Sequence, residues 1–287
     1  EMMLKINVPV PKGNLLDEAK LNSNNNKNLL FPLIVKPLDS SGSQGVIYVK
    51  NKKEMKSAIK HSLKFSKKVI IEEFINGNGI DTIGIMREGK LFPCGLATRI
   101  FSDLPFRFPI QGYTSNLLNR SEQEEAFRIT EEAANAVGIL NGPVKADLLF
   151  NQGKFILIEI TPRFHGDVLT NKTITYAYDF NPIKELFSFL ITGKLSNKSI
   201  LDLEPKIILW KALFPLDDNI DWNTLKKDNI NGGRILDLFI DPRHKFKHQI
   251  HKDNTSLSGF IFIEFDNLEC MNIYLKTFKH KYKRILI

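Results

Sequence analysis

Two acids stand where a chain would ordinarily bury apolar side chains. In VKADLLFNQGKFILIEITPR, residues 144–163, Asp147 and Glu159 lie within two strand-like apolar runs separated by Asn151-Gln152-Gly153. A lone carboxylate in such a run costs several kcal/mol unless it is paired or bound to a cation. A three-residue loop with glycine in the left-handed position sets Phe150 against Lys154 and Asp147 against Leu157, with Glu159 two residues further along the same face. That diagonal is about 7–8 Å, a span one ion can bridge, whereas a two-residue loop would send the acids to opposite faces. Two hard oxygen ligands, completed by phosphate, suit Mg²⁺. The plain alternative is an edge aspartate with Glu159 salt-bridged to Arg163 or Lys145.

Arg163 follows Thr161-Pro162, and the proline stops the strand and fixes the turn that projects the arginine. A planar guanidinium there can neutralise a transferring phosphoryl group or a carboxylate; otherwise it is simply solvated. His165 lies close by and reads as either a substrate contact or a structural histidine. Further upstream, IVKPLDSSGSQGVIYVK (34–50) ends an apolar run on Lys36 and breaks into a soft loop. That loop lacks the Gly-Lys-Ser/Thr close of a P-loop. Its amides, with the hydroxyls of Ser40, Ser41 and Ser43, can form an anion nest, and a flexible hairpin is the alternative. In VIIEEFI (69–75), Glu72 and Glu73 interrupt an otherwise apolar strand. It reads either as an edge whose backbone pairs with an adenine or as an edge charged against aggregation.

The elements that must position these residues are legible as patterns. FPLIVKP (31–37), GVIYVK (45–50) and KVIIEEFI (68–75) read as strands, and Asn51 with Glu54 opens a helix between the last two. Residues 77–100 give two strands around Glu88-Gly89, and residues 101–120 are irregular. Ser121 with Glu124 forms a capping box for a helix that Gly138 ends. Pro182 opens a helix with Ile183, Leu186, Phe187 and Leu190 on one face. Residues 21–28 form a polar loop, and from about residue 201 the order β-α-β-β-α-β suggests a split βαβ lobe ending in the strand RILI.

The bulk numbers, 287 residues, 43% apolar and 25% charged, fit a soluble globular protein of two modest domains or one with a sizeable core, and the mixed strands and helices above make it α+β. Only Cys94 and Cys270 occur, which excludes a disulfide framework and a cysteine zinc site. No membrane span or secretory signal is visible, so the expected location is cytoplasmic. The net charge of +8 suits an anionic small substrate; the basic runs Lys50–Lys60 and Lys276–Arg284 read as solvated helix faces, and nucleic acid is not an expected partner. The opening EMMLKINVPVPKG reads like the middle of a domain, as in a fragment of a longer protein.

The order of these pieces (lysine, glycine-rich loop, EEFI, Asp147, EITPR) resembles the ATP-grasp superfamily over roughly residues 1 to 195. The lobe after it, with LFPLDDNI and SLSGFIFIEF, is similar to that of the biotin-carboxylase-like and amino-acid-ligase branches. The resemblance implies an ATP-grasp domain over 1–200, with a lid at about 22–75 and a central part at about 76–200, and a small α+β lobe over 201–287. ATP would lie between lid and centre. Lys36 would meet the α-phosphate, and Ser40, Ser41, Gly42, Ser43 and Gly45 would close over the β- and γ-phosphates. Glu72, Glu73, Phe74 and Ile75 would form the adenine hinge. Asp147 and Glu159 would hold one or two Mg²⁺, and Arg163 would steady an acyl phosphate. The implied reaction is carboxylate activation followed by amine attack, with small-molecule carboxylate and amine as substrates. The alternatives are a carboxylase or carbamoyl-phosphate type using bicarbonate, and a nucleotide-binding module without turnover. Thr161 replaces an asparagine common in the family, and Gly112-Tyr113 stands where some ligases have Gly-His. The family's amino-terminal domain and second ATP lysine are not seen, so the piece alone is expected to be inactive; the resemblance also admits a homodimer.

Overall fold

The computed structural model describes residues 1–17, 30–114, 117–166, 168–196, 198–215, 220–241, 251–282 and 285. The expected polar loop at 21–28 lies outside these residues, as does most of the expected last strand, of which Ile285 makes a bridge to Pro215.

After a single turn of helix, α1 (Met2–Lys5), the chain builds a small four-stranded antiparallel sheet. It comprises β1 (Gly13–Asp17), β2 (Leu33–Pro37), β3 (Ile47–Val49) and β4 (Lys68–Glu73) in the order β1-β4-β2-β3. Helix α2 (Lys52–Ser62) covers one face, and its N-cap is Asn51, whose side chain accepts from Lys53 N at 3.0 Å. The alternation in LIVKP sends Leu33 and Val35 inward onto Val69, Ile71 and Ile59. Each of these aliphatic side chains contributes roughly 1.5–3 kcal/mol by leaving water. The strand β1 was not visible in the sequence pattern. It pairs with β4 from Gly13↔Glu72 to Asp17↔Lys68, so the EEF strand is internal rather than an edge.

An eight-stranded antiparallel sheet forms the rest of the frame, in the order β11-β12-β10-β7-β6-β5-β8-β9. Its members are β5 (Asn78–Arg87), β6 (Lys90–Phe101), β7 (Pro109–Tyr113), β8 (Gly142–Asn151), β9 (Lys154–Thr161), β10 (Ile207–Leu213), β11 (Gly233–Ile240) and β12 (Gly259–Phe265). The segment expected to be irregular thus contains a strand, β7, which joins β6 on one side to β10 on the other. Strands from both sides of residue 200 therefore share one hydrogen-bonded ladder. β5 is buried over Gly79–Met86, so Asp81 and Thr82 are polar groups inside a strand without a solvent face. Thr82 is satisfied by Thr130 Oγ1 at 2.7 Å, on α3 (Arg120–Ala136).

Helix α3 starts two residues earlier than expected. Its capping box is Asn119 with Glu122, because Asn119 Oδ1 accepts from Glu122 N while Glu122 accepts from Asn119 N. A π-turn at Leu169–Thr173 leads into α4 (Ile174–Tyr178), and α5 (Pro182–Thr192) is capped by Asn181 and ended by Gly193 at φ 68°. Its apolar residues do not all face the core: Leu186 and Phe189 pack inward, whereas Ile183, Phe187, Leu190 and Ile191 are exposed. The last lobe packs α6 (Trp222–Lys226) and α7 (Leu268–Lys281) on one face of β10–β12 around Leu209, Leu213, Ile261 and Phe278.

Candidate active site

A cavity of about 340 Å³ opens between the two sheets. On the small-sheet wall, Lys36 is the last residue but one of β2 and reaches diagonally to Glu72 on β4, Nζ to Oε1 2.6 Å. Beyond it the Ser-Gly loop is tightly folded: Gln44 N donates to the Ser41 carbonyl and Val46 N to the Ser43 carbonyl. Gly42, Ser43 and Gly45 all have positive φ, which is why the loop needs its glycines. Ser40, Ser41, Gly42 and Ser43 line the cavity. Gly45 does not; it is turned into the lobe, where a Cβ would meet Phe65 and Pro37 at 2.7 Å.

The hinge residues Glu72, Glu73, Phe74 and Ile75 line the same cavity. The expectation of an open strand edge here is corrected. Glu73 N donates to the Lys12 carbonyl at 2.9 Å, Glu73 Oε1 accepts from Lys12 N at 3.0 Å, and Phe74 N donates to the Pro32 carbonyl at 3.1 Å. Those groups are already engaged within the protein.

On the opposite wall the turn between β8 and β9 has two residues, not three. Gln152 (φ 49°) and Gly153 (φ 77°) both adopt the left-handed conformation of the tight hairpin turn that matches strand twist. That turn pairs Phe150 with Phe155 and Leu148 with Leu157, a register that by itself would part the acids. A β-bulge at Ile158 inserts one extra residue in β9, and beyond it Asp147 pairs directly with Glu159. The two acids therefore share a face, opposite each other rather than on a diagonal. Asp147 also pairs directly with Asp81 on β5, so three acids form a row across β5, β8 and β9.

Basic groups are interleaved with this row. Lys145 Nζ lies 2.8 Å from both Asp147 Oδ1 and Glu159 Oε1, which realises the ion-pair alternative. Arg99 Nε meets Asp81 Oδ2 at 2.7 Å, its Nη1 lies 3.9 Å from Asp147, and its Nη2 is 3.1 Å from His165 Nδ1. Burial works against the ionised form of Asp147, but Arg99, Lys145 and His165 outweigh it and hold that carboxyl well below the usual carboxylate range. Arg163 is not part of this cluster: it is exposed, donates to the Phe164 carbonyl at 2.9 Å, and does not line the cavity.

Sequence reasoning missed Arg99 and Arg107. An arginine inside the apolar run GLATRIF was a signal, since a charge there needs a counter-charge. Arg107 also lines the cavity, with its guanidinium 4.6 Å from the Phe101 ring and 5.2 Å from that of Phe74, and burial lowers its pKa.

The donor set fits a hard divalent cation. Asp147 and Glu159 already converge on one positive charge, the Lys145 ammonium, and the Thr161 hydroxyl two residues past Glu159 is buried with no hydrogen-bond partner among the described residues. Asp81, Asp147 and His165 offer a second grouping, with ligand atoms within 4.8 Å of one another, but its imidazole suits Mg²⁺ poorly.

Comparisons with known proteins bear on this architecture. A family model described as the ATP-grasp domain matches residues 1–167. The D-alanine–D-alanine ligase of Pseudomonas entomophila is 28% identical over 160 residues, covering 54% of this chain and 50% of that protein. The chain thus spans about half the length of the curated relatives it matches. Among solved structures, the L-amino acid ligase from Bacillus licheniformis superposes with a TM-score of 0.76 at 16% identity, covering 99% of this chain and 69% of that one. The N5-carboxyaminoimidazole synthetase from Staphylococcus aureus, complexed with ADP, does so with a TM-score of 0.73 at 13% identity, covering 96% and 68%. With the family match extending over more than half of its residues, this chain belongs to the ATP-grasp family.

Proposed function

We propose that the chain is the nucleotide-grasping part of a Mg²⁺-ATP-dependent ligase that activates a small carboxylate as an acyl phosphate for attack by an amine. The observation that carries this reading is the opposition of two walls across one cavity. Lys36 and the Ser40–Ser43 loop stand on one side, and the Asp81–Asp147–Glu159 row on the other. A chain of phosphates fits between a cation with backbone amides and a set of carboxylates only if a metal mediates on the acidic side. Mg²⁺ held by Asp147 and Glu159 would neutralise phosphate charge there.

The chain's own residues would then divide the work. Lys36, oriented by Glu72, contacts the phosphate nearest the base, and the loop amides and serine hydroxyls cover the terminal phosphates and exclude water from the reacting acyl group. Phe74 and Ile75 flank the base at the hinge. Arg99 is fixed by Asp81 and lines the cavity, so its positive charge is preorganised there rather than supplied by a mobile side chain. Arg163 would reach the acyl group only after turning away from the Phe164 carbonyl it now meets.

A second reading, a nucleotide-binding module without turnover, is favoured by Lys145 itself, since its ammonium occupies the space between the acids. Calorimetric titration of the chain with ATP, with and without MgCl₂, tests the binding step. The expected result is binding that requires Mg²⁺ and is lost in Glu159→Gln. Undiminished binding by that variant would overturn the metal assignment. Phosphate release by the full-length protein, stimulated by a carboxylate and an amine together, distinguishes the ligase from the silent module; release that depends on bicarbonate alone would transfer the chain to the carboxylase type.

A further inference from the structure

The small lobe touches the rest of the molecule at a second place, away from the hinge. Gly42, at the tip of the Ser-Gly loop, offers its carbonyl to the backbone N–H of Asn254 at 3.1 Å. Asn254 opens a short 3₁₀ turn, Asn254–Ser256, just before β12. That turn is pinned on several sides. Asp253 caps it by accepting from Thr255 N at 2.9 Å. His251 is buried, with Nδ1 2.6 Å from Ser256 Oγ and Nε2 donating to the Pro215 carbonyl at 2.9 Å. Ser258 N donates to the Leu213 carbonyl on β10. A stiff post anchored to the large sheet thus meets the tip of the loop.

Other contacts close the same side. Tyr48 N on β3 donates to the Pro105 carbonyl at 2.8 Å, and Ile47 forms a bridge to Phe106. The Phe106 ring lies 6.5 Å from His61 on α2 and 5.8 Å from Lys252 Nζ. The Asn254 contact also carries an opposing cost. Asn254 Oδ1 is buried with no hydrogen-bond partner among the described residues, so one hydrogen bond gained is set against one acceptor stripped of water. A contact balanced in this way is built to release.

We propose that the turn at 253–257 is a latch: the Asn254 N–H holds the Gly42 carbonyl and keeps the tip of the Ser-Gly loop down over the cleft. The latch goes beyond the ligase reading and does not depend on it, because both of its partners are backbone groups of this chain.

The geometry permits a selective test. Asn254 is the first residue of its turn, a position that tolerates proline. Asp253, at φ −163° and ψ −175°, already has the extended shape required before proline. Asn254→Pro therefore deletes the N–H and spares the turn, while Asn254→Ala keeps the N–H; both remove the stripped acceptor, so the two variants differ at the latch by the N–H alone. Hydrogen–deuterium exchange of the whole chain without nucleotide would follow the protected loop amides of Gln44, Val46 and Tyr48, with β12 as the reference. Loop exchange in the proline variant should be roughly two- to tenfold faster than in the alanine variant, the worth of one ordinary hydrogen bond. The alanine should slow it, and β12 should be unchanged in both. An alanine variant whose loop exchanges as fast as that of the proline variant, or faster than that of the parent, would overturn the latch. If the proline disturbs β12 as well, the alanine variant decides: slower loop exchange upholds the latch, and equal or faster exchange refutes it.

Discussion

Lys211 is a cation buried inside the C-terminal lobe, and its titration is readable in the stability of the fold. It lies in the middle of β10, wholly buried, with Nζ 3.2 Å from Gln111 Oε1 and 5.2 Å from the Phe278 ring. No carboxylate forms an ion pair with it among the described residues, and burial pushes its pKa down from 10.5 to about 8. That lowering corresponds to about 3 kcal/mol of penalty on the protonated form in the folded state. Below pH 8 both states hold the proton and the penalty is constant. Between pH 8 and 10.5 the unfolded chain binds more protons than the folded one, so this group makes stability rise with pH across that window. Replacing Lys211 with Met removes the penalty but leaves Gln111 Oε1 without its partner, a cost of about 1–3 kcal/mol, so the two effects nearly cancel at neutral pH. The slope, not the absolute stability, is therefore diagnostic. Urea unfolding followed from about pH 7 to about pH 9.5 should show the parent gaining about 2 kcal/mol relative to Lys211→Met. Cys94, Tyr274 and Tyr282, whose pKa values burial raises, act with the opposite sign at the alkaline end but are common to both proteins. Parallel pH profiles for the two proteins would show that the ammonium is better solvated than its surroundings indicate.

Two further outcomes follow from the acidic row. Asp81→Asn should lower stability by about 3–5 kcal/mol, read as a drop in melting temperature, because it strips Arg99 of its closest buried counter-charge; a change below about 1 kcal/mol would mean that Arg99 finds adequate compensation from Asp147 and His165. Deleting Ile158, the one unpaired residue of β9, should remove the bulge yet leave Glu159 directly opposite Asp147 in a regular ladder, so Mg²⁺-dependent nucleotide binding in calorimetry should survive; loss of binding with a retained circular-dichroism spectrum would mean that the local twist of the bulge itself aims the Glu159 carboxylate.

Much of this was readable from residue order, because the constraints were local. Lys36 at a strand end before a glycine-rich loop, the acids of EEF, and the acids in β8 and β9 each break an apolar pattern in a way that burial alone cannot explain. The parts that were not readable depend on pairing between distant segments. Residues 13–17 are too short and too polar to announce a strand, yet their pairing makes β4 internal and occupies Glu73 N. The facing of Asp147 and Glu159 was expected for the wrong local reason. A longer turn was assumed, whereas a tight turn and a bulge restore the same face together, and a bulge of one residue leaves no periodic trace in a run as uniformly apolar as FILIEI. Arg163 was legible as a residue but not as a position, because its orientation depends on a turn whose carbonyl it also engages.

The shared ladder through β7 has a practical meaning for anyone cutting this gene. A break at residue 200, where composition invites a boundary, would remove β10, β11 and β12 and leave Gln111 and Tyr113 at a raw border of unpaired amides, beside apolar surface that Trp210 and Phe262 now cover. Such a piece would be expected to stick to itself. Expression designs and library crossovers should keep residues 78–285 together as one indivisible cassette and place their junctions in the small sheet's connections instead.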